Sequence, residues 1–366
     1  MISGELAANA VEKTRFAGTY LGDLKFLGEE DVPMETPWRG GLDGRLYTDL
    51  ARLKMNQFVV PTNRFYVRTA ASQWVCSTEA ASIQTHGSSS VAELSLSRLL
   101  EEEEPQGLHL MECAGNRSRG HFGLMSVAEW SGVAMSTVLH RLQLNDPRKL
   151  VLVAGFDGYT RTSLSSICGA SWIFRYEHLH DSGAFLALSM NSKPLAPDHG
   201  APARLVLPNW YGCACIKWVN AIMAIDEGAE TTTQMKEYSS RTHQNGVPEL
   251  ARDYEPAVID PAAMPIRIEQ WMVNGKISYR VVGLLWGQIN GVESLEIRFT
   301  PGGDYVPIEK LGPAAGNAWR FWTHFWRPKE RGIHEVRVRV PDPLIRTRRL
   351  DAGYYVRKVN VEGACD

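Results

Sequence analysis

Residues 112–120 carry the sequence ECAGNRSRG, and this stretch governs how the rest of the chain is interpreted. Cys113 is followed by a small residue, a glycine, an amide and an arginine, a combination poorly suited to core packing. Gly115 has no Cβ, so the backbone can come close to a bulky ligand there. Arg117 and Arg119 would favour a nearby anion and the thiolate form of Cys113. Because a soft thiolate suits a soft or high-valent metal, the stretch indicates a metal site; the alternative is a buried free cysteine beside a tight turn.

The composition narrows the class of protein. The chain has 366 residues, 44% of them hydrophobic and 22% charged, as in globular proteins of two domains. The formal net charge of −2 gives no basic field that would attract nucleic acid. No apolar stretch is long enough to span a bilayer. Residues 1–16 show no export signal, so a cytoplasmic location is expected if this N-terminus is the native one.

Six cysteines are scattered along the chain and form neither a disulfide framework nor a zinc set. Cys213 and Cys215 are separated by one residue, which leaves a second metal site open as an alternative. Companion Cys or His residues are missing nearby in the sequence, so we expect these two cysteines to alternate within a strand.

Local patterns in the first two thirds of the chain predict short helices mixed with strands. Residues 94–104 and 127–142 have helical spacing, whereas residues 109–113 and 149–156 are apolar runs typical of strands. Residues 201–225 contain two further strand-like runs. Because these elements do not alternate regularly, they predict an α+β fold and not a doubly wound sheet.

The last third has a different character. Its evenly spaced apolar runs predict short strands at residues 266–268, 277–285, 294–299, 319–326 and 334–340. This pattern favours an immunoglobulin-like β-sandwich without the cysteine pair of antibody domains. A polar, proline-bearing stretch precedes it, so we divide the chain into residues 1–245 and 246–366.

Several segments resemble, in order, the sulfite oxidase family of molybdenum enzymes. The segments are NRFYVRT (63–69), ECAGNR (112–117), EWSGVAMSTVL (129–139), DGYTRTSL (157–164) and ALSMNSKPLAPDHGAPARLVLPNWYGCACIKWV (187–219). The region containing IRFTPGGDYVPIEKL (297–311) is similar to the family's C-terminal dimerisation domain. The chain has no dinucleotide-binding glycine pattern, phosphate loop, H-E-x-x-H or G-x-S-x-G motif that would favour another class of enzyme.

The resemblance implies a molybdenum-molybdopterin cofactor and a set of residues that hold it. Arg204 and Lys217 would meet the cofactor's phosphate, and His199 would donate to the phosphate or the pterin. The remaining cofactor contacts implied are Tyr66, Val67, Arg68, Thr69, Asp157 and the backbone groups of Cys215 and Ile216. Alternatively, His199 is a turn histidine and Asp157 an Asx-turn residue without a ligand.

The resemblance also implies the catalytic residues. Cys113 would be the thiolate ligand of the metal, while the metal carries the oxygen-atom transfer. Arg68 would hold an oxyanion, unless it is only a surface strand residue. Tyr238 falls near the family's active-site tyrosine, although it could simply anchor the linker. A further substrate cation would come from one of four C-terminal arginines, Arg346, Arg348, Arg349 and Arg357.

The expected activity is oxidation of sulfite to sulfate. Thr69 and Ala70 replace the Asn-His that follows the arginine in animal and plant sulfite oxidases, so sulfane sulfur, nitrate or an S- or N-oxide are alternative substrates. A binding protein without molybdenum is a further alternative. No haem domain is visible, so we expect a bacterial, molybdenum-only type that passes electrons to an external acceptor such as a cytochrome. The family resemblance further implies a homodimer and a periplasmic location.

Overall fold

The computed structural model describes residues 18–29, 44–69, 82–84, 93–116, 121–155, 170–228, 231–238 and 256–362. Its strands are β1 (Gly18–Leu24), β2 (Gly44–Leu46), β3 (Val67–Thr69), β4 (Ser82–Gln84), β5 (Glu93–Ser95), β6 (Glu104–Glu112), β7 (Met125–Ala134), β8 (Leu150–Gly155), β9 (Ser171–Arg175), β10 (Phe185–Met190), β11 (Lys193–Pro194), β12 (Arg204–Val206), β13 (Val219–Ile225), β14 (Ala262–Val273), β15 (Lys276–Trp286), β16 (Glu296–Arg298), β17 (Val306–Pro307), β18 (Lys310–Leu311), β19 (Arg320–Trp326), β20 (Gly332–Arg339) and β21 (Arg357–Val361). Its helices are α1 (Leu96–Glu101), α2 (Met135–Arg141), α3 (Tyr176–His180) and α4 (Thr233–Tyr238), and 3-10 turns cover Leu50–Arg52, Thr62–Arg64, Pro197–His199 and Gly353–Tyr355.

Two larger sheets build the part of the chain before residue 239. One has the strand order β11-β10-β7-β6, with β12 also pairing with β10, and the other has the order β5-β4-β13-β8-β9. Strands β8 and β10 are buried along nearly their whole length, which explains their continuous apolar sequences. The strands predicted at residues 109–113 and 149–156 are confirmed as β6 and β8.

Two local predictions in this part were wrong. Residues 127–142 are not one helix, because the run begins as β7 and becomes α2 only at Met135. Strand β7 pairs with β6 on one side and β10 on the other and buries residues on both faces, so its apolar spacing does not distinguish helix from strand. Cys213 and Cys215 do not alternate within a strand either. They lie in turns between Asn209 and Trp218, whose positive φ angles of 64° and 55° interrupt an extended chain.

Two antiparallel sheets form the C-terminal part, with the orders β1-β14-β15-β19-β18 and β17-β16-β20-β21. The five predicted strands are confirmed as β14, β15, β16, β19 and β20. Aromatic rings join the sheets: Phe299 stacks on Trp326 with centroids 4.4 Å apart, and Trp326 meets His334 edge-on at 5.0 Å. The predicted boundary at residue 245 lies outside the described residues.

An N-terminal strand completes one of these C-terminal sheets. Strand β1 pairs antiparallel with β14, from Gly18 opposite Val273 to Leu24 opposite Ile268. Further on, Leu27 donates a backbone hydrogen bond to Lys358 at 2.8 Å. The start of the described chain is therefore integrated into the C-terminal sheet.

The described chain is mostly sheet, with few and short helices. The helical share is thus smaller than the expected α+β class suggests. Across the described residues, no helix combines the length and the apolarity needed to cross a membrane.

Candidate active site

Cys113 directly follows β6, and backbone hydrogen bonds hold it in place. Its N–H donates to the carbonyl of Leu124 at 2.9 Å, and its own carbonyl accepts from the N–H of Asn116 at 2.9 Å. The N–H of Gly115 points at the Cys113 sulfur from 3.4 Å, a contact that favours negative charge on that atom. The side chain is buried, with the residue 7% exposed.

One pocket collects most of the site residues predicted from the sequence. It contains about 770 Å³ of empty space, counting its open mouth, which is room for a large ligand. The predicted residues that line it are Tyr66, Arg68, Cys113, Arg204, Cys215, Ile216, Lys217 and Tyr238. The fold therefore brings together, around one pocket, predicted residues from five separated segments of the chain.

The other predicted residues are placed differently. Val67 is buried beside the pocket in β3, and Thr69 ends that strand opposite Gly44. His199 lies behind the pocket, where its ring meets Phe65 edge-on at 5.3 Å. Asp157 lies outside the described residues, as do Arg117 and Arg119 of the cysteine loop.

Arg204 is a buried cation without a carboxylate partner among the described residues. The residue is 5% exposed; one guanidinium nitrogen donates to the carbonyl of His199 at 3.2 Å, and the side chain also hydrogen-bonds Tyr66. Its Nε has no hydrogen-bond partner within the described structure. Burial lowers the pKa of Arg204, partly offset by Tyr66 and Cys215. A buried cation is costly unless an anion compensates it, so this position is suited to an anionic ligand.

Lys217 adds a second cation to the same pocket. Its Nζ donates to the carbonyl of Asp198 at 3.1 Å and lies 4.1 Å from the centre of the Trp218 ring. Gly200 has a φ of 112°, and a Cβ there would lie 3.1 Å from both the Arg204 and Lys217 side chains. The left-handed backbone and the close approach of both cations therefore favour glycine at this position.

His199 is expected to make stability depend on pH. Burial, then the nearby Arg204 and Lys217, lower the pKa of His199 from 6.5 to about 4, while the Thr62 carbonyl that accepts from Nε2 at 3.0 Å opposes the shift. Between pH 6.5 and pH 4 the imidazole is protonated in the unfolded chain but neutral in the folded chain. The free energy of unfolding therefore decreases as the pH falls through this range, by up to about 3 kcal/mol.

The matched variant is His199→Gln, whose amide can donate to the same carbonyl but does not titrate. Urea unfolding at several pH values from 7.5 to 4.5 measures the effect. We expect the variant to lose less stability than the wild type over this range. Equal losses in the two proteins would contradict the assignment.

Tyr238 and Gln234 reach the pocket from one face of α4. They are four residues apart, which places them one turn from each other. Burial, and then Cys113, raise the pKa of Tyr238, while Arg68 opposes the shift. Its hydroxyl therefore stays protonated at neutral pH and can donate a hydrogen bond. Gln234, which the sequence reasoning missed although QMKEY shows the spacing, donates to the carbonyl of Cys213.

Cys213 and Gly212 are two more lining residues that the sequence reasoning missed. Burial, and then the neighbouring Cys113, raise the pKa of Cys213, so this thiol stays protonated. A Cβ on Gly212 would lie 2.7 Å from the Tyr66 hydroxyl, so the chain passes close to that ring. The ECAGNRSRG motif gave no signal for either residue.

The four C-terminal arginines separate into different roles. Arg346 and Arg349 have largely exposed side chains, and Arg357 pairs with Glu29. Arg348 instead reaches the buried carboxylate of Glu112, the residue just before Cys113. None of the four is among the described residues that line the pocket.

Comparison with known proteins shows which enzymes the chain around this pocket is similar to. A family model described as an oxidoreductase molybdopterin binding domain matches residues 72–233. Mitochondrial sulfite oxidase of Drosophila melanogaster is 27% identical over 200 residues, 51% of this chain and 34% of that protein. Nitrate reductase [NADPH] of Fusarium oxysporum is 29% identical over 173 residues, 40% of this chain and 18% of that protein. These two matches thus span only 34% and 18% of the relatives' own length.

A solved structure extends the likeness in fold to nearly the whole chain. The sulfane dehydrogenase SoxCD from Paracoccus pantotrophus matches with a TM-score of 0.62 and 18% identity, covering 97% of this chain and 92% of the matched chain. At this identity the match shows the fold alone.

The residues of the pocket fit molybdenum-molybdopterin as the cofactor. Arg204 is a buried cation whose Nε lacks a partner within the described structure, as a site for a phosphate-bearing ligand requires. Cys113 offers a soft sulfur donor in the same pocket. The motifs, the family model and the relatives all support the sulfite oxidase family of molybdopterin-dependent oxidoreductases for this chain.

Proposed function

We propose that this chain oxidises sulfite to sulfate and passes the electrons to an external acceptor such as a cytochrome. The observation that carries the proposal is the convergence of Cys113, Arg68 and Tyr238 on the pocket that also contains Arg204. A sulfur donor, a cation and a neutral hydroxyl around one cavity suit a metal and a small oxyanion. The sulfite oxidase relatives support this choice of substrate.

The cofactor is held by the cations and by the backbone in this proposal. Arg204 and Lys217 bind its phosphate, and the backbone of Cys215 and Ile216 bonds the pterin. Cys113 binds the metal through its sulfur. The remaining contacts proposed are Tyr66, Val67, Arg68, Thr69, Asp157 and His199. When bound, the molybdenum centre supplies oxygen-atom transfer and accepts two electrons.

The substrate is positioned by Arg68 and Tyr238. The guanidinium of Arg68 compensates the charge of sulfite and, being planar, fixes its orientation through paired hydrogen bonds. Tyr238 donates its hydroxyl proton as a hydrogen bond to a substrate oxygen. Both residues thereby raise the fraction of bound sulfite whose sulfur faces the metal.

Metal analysis and substrate assays on one purified sample test the proposal. We expect about one molybdenum per chain and sulfite-dependent reduction of ferricyanide or cytochrome c. Nitrate with a reduced dye, thiosulfate and an S-oxide serve as competing substrates. Turnover of one of these with a higher kcat/KM than sulfite would replace the proposed substrate, and absence of molybdenum would overturn the proposal.

Arg68→Met is expected to weaken sulfite binding. Loss of charge-assisted hydrogen bonds of about 1.5–3 kcal/mol corresponds to a KM for sulfite raised roughly 10- to 100-fold. Steady-state kinetics measure KM and kcat, and Arg148→Met is the matched control because that side chain is 88% exposed. An unchanged KM in Arg68→Met would exclude Arg68 from the substrate site.

The same proposal includes a homodimer that forms through an immunoglobulin-like C-terminal domain, residues 246–366. The two antiparallel sheets joined by aromatic rings support this architecture. Sedimentation of the purified chain tests the stoichiometry: a monomer at micromolar concentration would contradict it.

A further inference from the structure

The carboxylate of Glu112 is buried and fully occupied by donors. The residue is 1% exposed. Its Oε1 accepts from Asn116 Nδ2 at 3.0 Å and from Arg348 at 2.9 Å. Its Oε2 accepts from Trp286 Nε1 at 2.8 Å and from the other terminal nitrogen of Arg348 at 2.6 Å. Four donors, two of them on one guanidinium, satisfy both oxygens of the carboxylate.

This carboxylate organises the loop that carries Cys113. Through Asn116 it reaches the other side of the loop, because Asn116 Oδ1 accepts from the N–H groups of Gly123 at 3.0 Å and Leu124 at 2.7 Å. The backbone carbonyl of Glu112 also accepts from the N–H of Gly212 at 2.7 Å. Cys113 thus lies between groups fixed by one network.

The other half of the network belongs to the C-terminal sheets. Trp286 is the last residue of β15, and Arg348 lies on the segment between β20 and β21. That segment is anchored in turn: the N–H of Arg348 donates to the carbonyl of Pro261 at 3.1 Å, and its guanidinium donates to the Tyr355 hydroxyl at 2.8 Å. Residues 112 and 348 are therefore locked together although 236 positions separate them.

Stability alone does not account for this pair. A buried ion pair loses much of its attraction to desolvation, and an apolar pair of similar volume is often as stable. Burial opposes the charge of Arg348, but Glu112 outweighs it and raises the pKa of Arg348 well above its usual value. The guanidinium is thus a permanent positive charge that compensates Glu112, the residue directly before Cys113.

We propose that the Glu112–Arg348 ion pair is a positioning device, through which the C-terminal sheets fix the orientation and the electrostatic surroundings of the Cys113 sulfur as a metal ligand. The inference rests on the proposed function, since it takes Cys113 to bind the metal. Neither residue needs to touch substrate. Hydrogen-bond partners of a metal ligand are typically worth about 10- to 100-fold in metal affinity, and we expect an effect of up to this scale from a pair that fixes the backbone next to the ligand.

Three variants and a matched control separate positioning from stability. The variants are Glu112→Gln, Arg348→Met and the double variant, all tested in the full chain. The control is Glu269→Gln, because Glu269 is also buried and accepts from two arginines and a tryptophan, Arg267, Arg280 and Trp271, but does not line the pocket. The readouts are thermal unfolding of the metal-free protein, molybdenum per chain, and the thiolate-to-metal absorption band and reduction potential of the loaded protein.

Each single variant leaves a buried group without its partner, so we expect both, and the control, to unfold at lower temperature. The double variant should recover most of this loss. The absorption band and potential should stay displaced in the double variant and unchanged in Glu269→Gln. Molybdenum retained after dialysis should fall about 10- to 100-fold in both single variants and stay low in the double variant.

The outcomes distinguish this inference from the function it rests on. If the double variant regains stability together with a wild-type band, potential and metal content, the pair is only structural and the inference is wrong. If the wild-type protein has no molybdenum or no thiolate band, the proposed function fails first, and the inference fails with it for that separate reason.

Discussion

The variant Cys113→Ser is expected to lose sulfite oxidation, with activity reduced by more than about 100-fold. Mutation of a residue that only orients a metal ligand typically lowers metal affinity or activity by about 10- to 100-fold, and removal of the ligand itself should lower activity further. A serine hydroxyl is a harder and less readily ionised donor than a thiol, so it is a poor substitute for a soft ligand. Stopped-flow or steady-state oxidation of sulfite, together with pterin fluorescence after denaturation, measures activity and bound pterin separately.

Cys213→Ser is the matched control, since both thiols line the same pocket. It should keep the thiolate-to-metal band that Cys113→Ser loses. Pterin should remain in both variants, because its phosphate and ring are held by other residues. Full activity in Cys113→Ser, or loss of the band only in Cys213→Ser, would remove Cys113 from the role of metal ligand.

Arg204→Met is expected to release the cofactor while leaving the metal-free protein as stable as the wild type or more so. Loss of charge-assisted hydrogen bonds to the phosphate should weaken retention roughly 10- to 100-fold. In the empty protein, however, the guanidinium is buried with no carboxylate partner in the described structure, so removing it relieves a desolvation cost. Cofactor retained after gel filtration and thermal unfolding of the metal-free protein give the two readouts.

A second arginine, whose side chain is 14% exposed, supplies the contrast. Arg280 pairs with the buried Glu269 at 2.6 Å, so Arg280→Met should destabilise the chain and leave the pocket unaffected. Arg204→Lys keeps a charge without the planar fork and should bind the cofactor with intermediate strength. If Arg204→Met loses stability as Arg280→Met does and retains the cofactor, Arg204 is a structural residue.

The sequence predicted the pocket better than the local structure around it. Cys113, Arg204 and Lys217 were identified by short runs with unusual chemistry, and the structure places all three on one cavity. Such runs report the ligand, which constrains residue types directly. The helix predicted at residues 127–142 was half wrong because strand β7 is buried on both faces and has no polar face to reveal its period.

Local sequence patterns could not predict which residues from distant parts of the chain contact each other. The sequence narrowed the C-terminal cation to four arginines, but only the folded chain shows that Arg348 reaches Glu112. Glu112 itself looks unremarkable in sequence, since acidic residues are almost always exposed. Its burial follows from the meeting of β6 with the end of β15, a contact between distant parts of the chain.

Strand β1 has a consequence for biogenesis. Because Gly18–Leu24 hydrogen-bonds to β14, a ribosome must release some 250 further residues before that early segment finds its partner. Until then the backbone groups of this segment lack their partners in β14, and β14 in turn would present an open backbone edge if the C-terminal part were expressed alone. Truncation near the beginning should therefore damage solubility through the far end of the molecule.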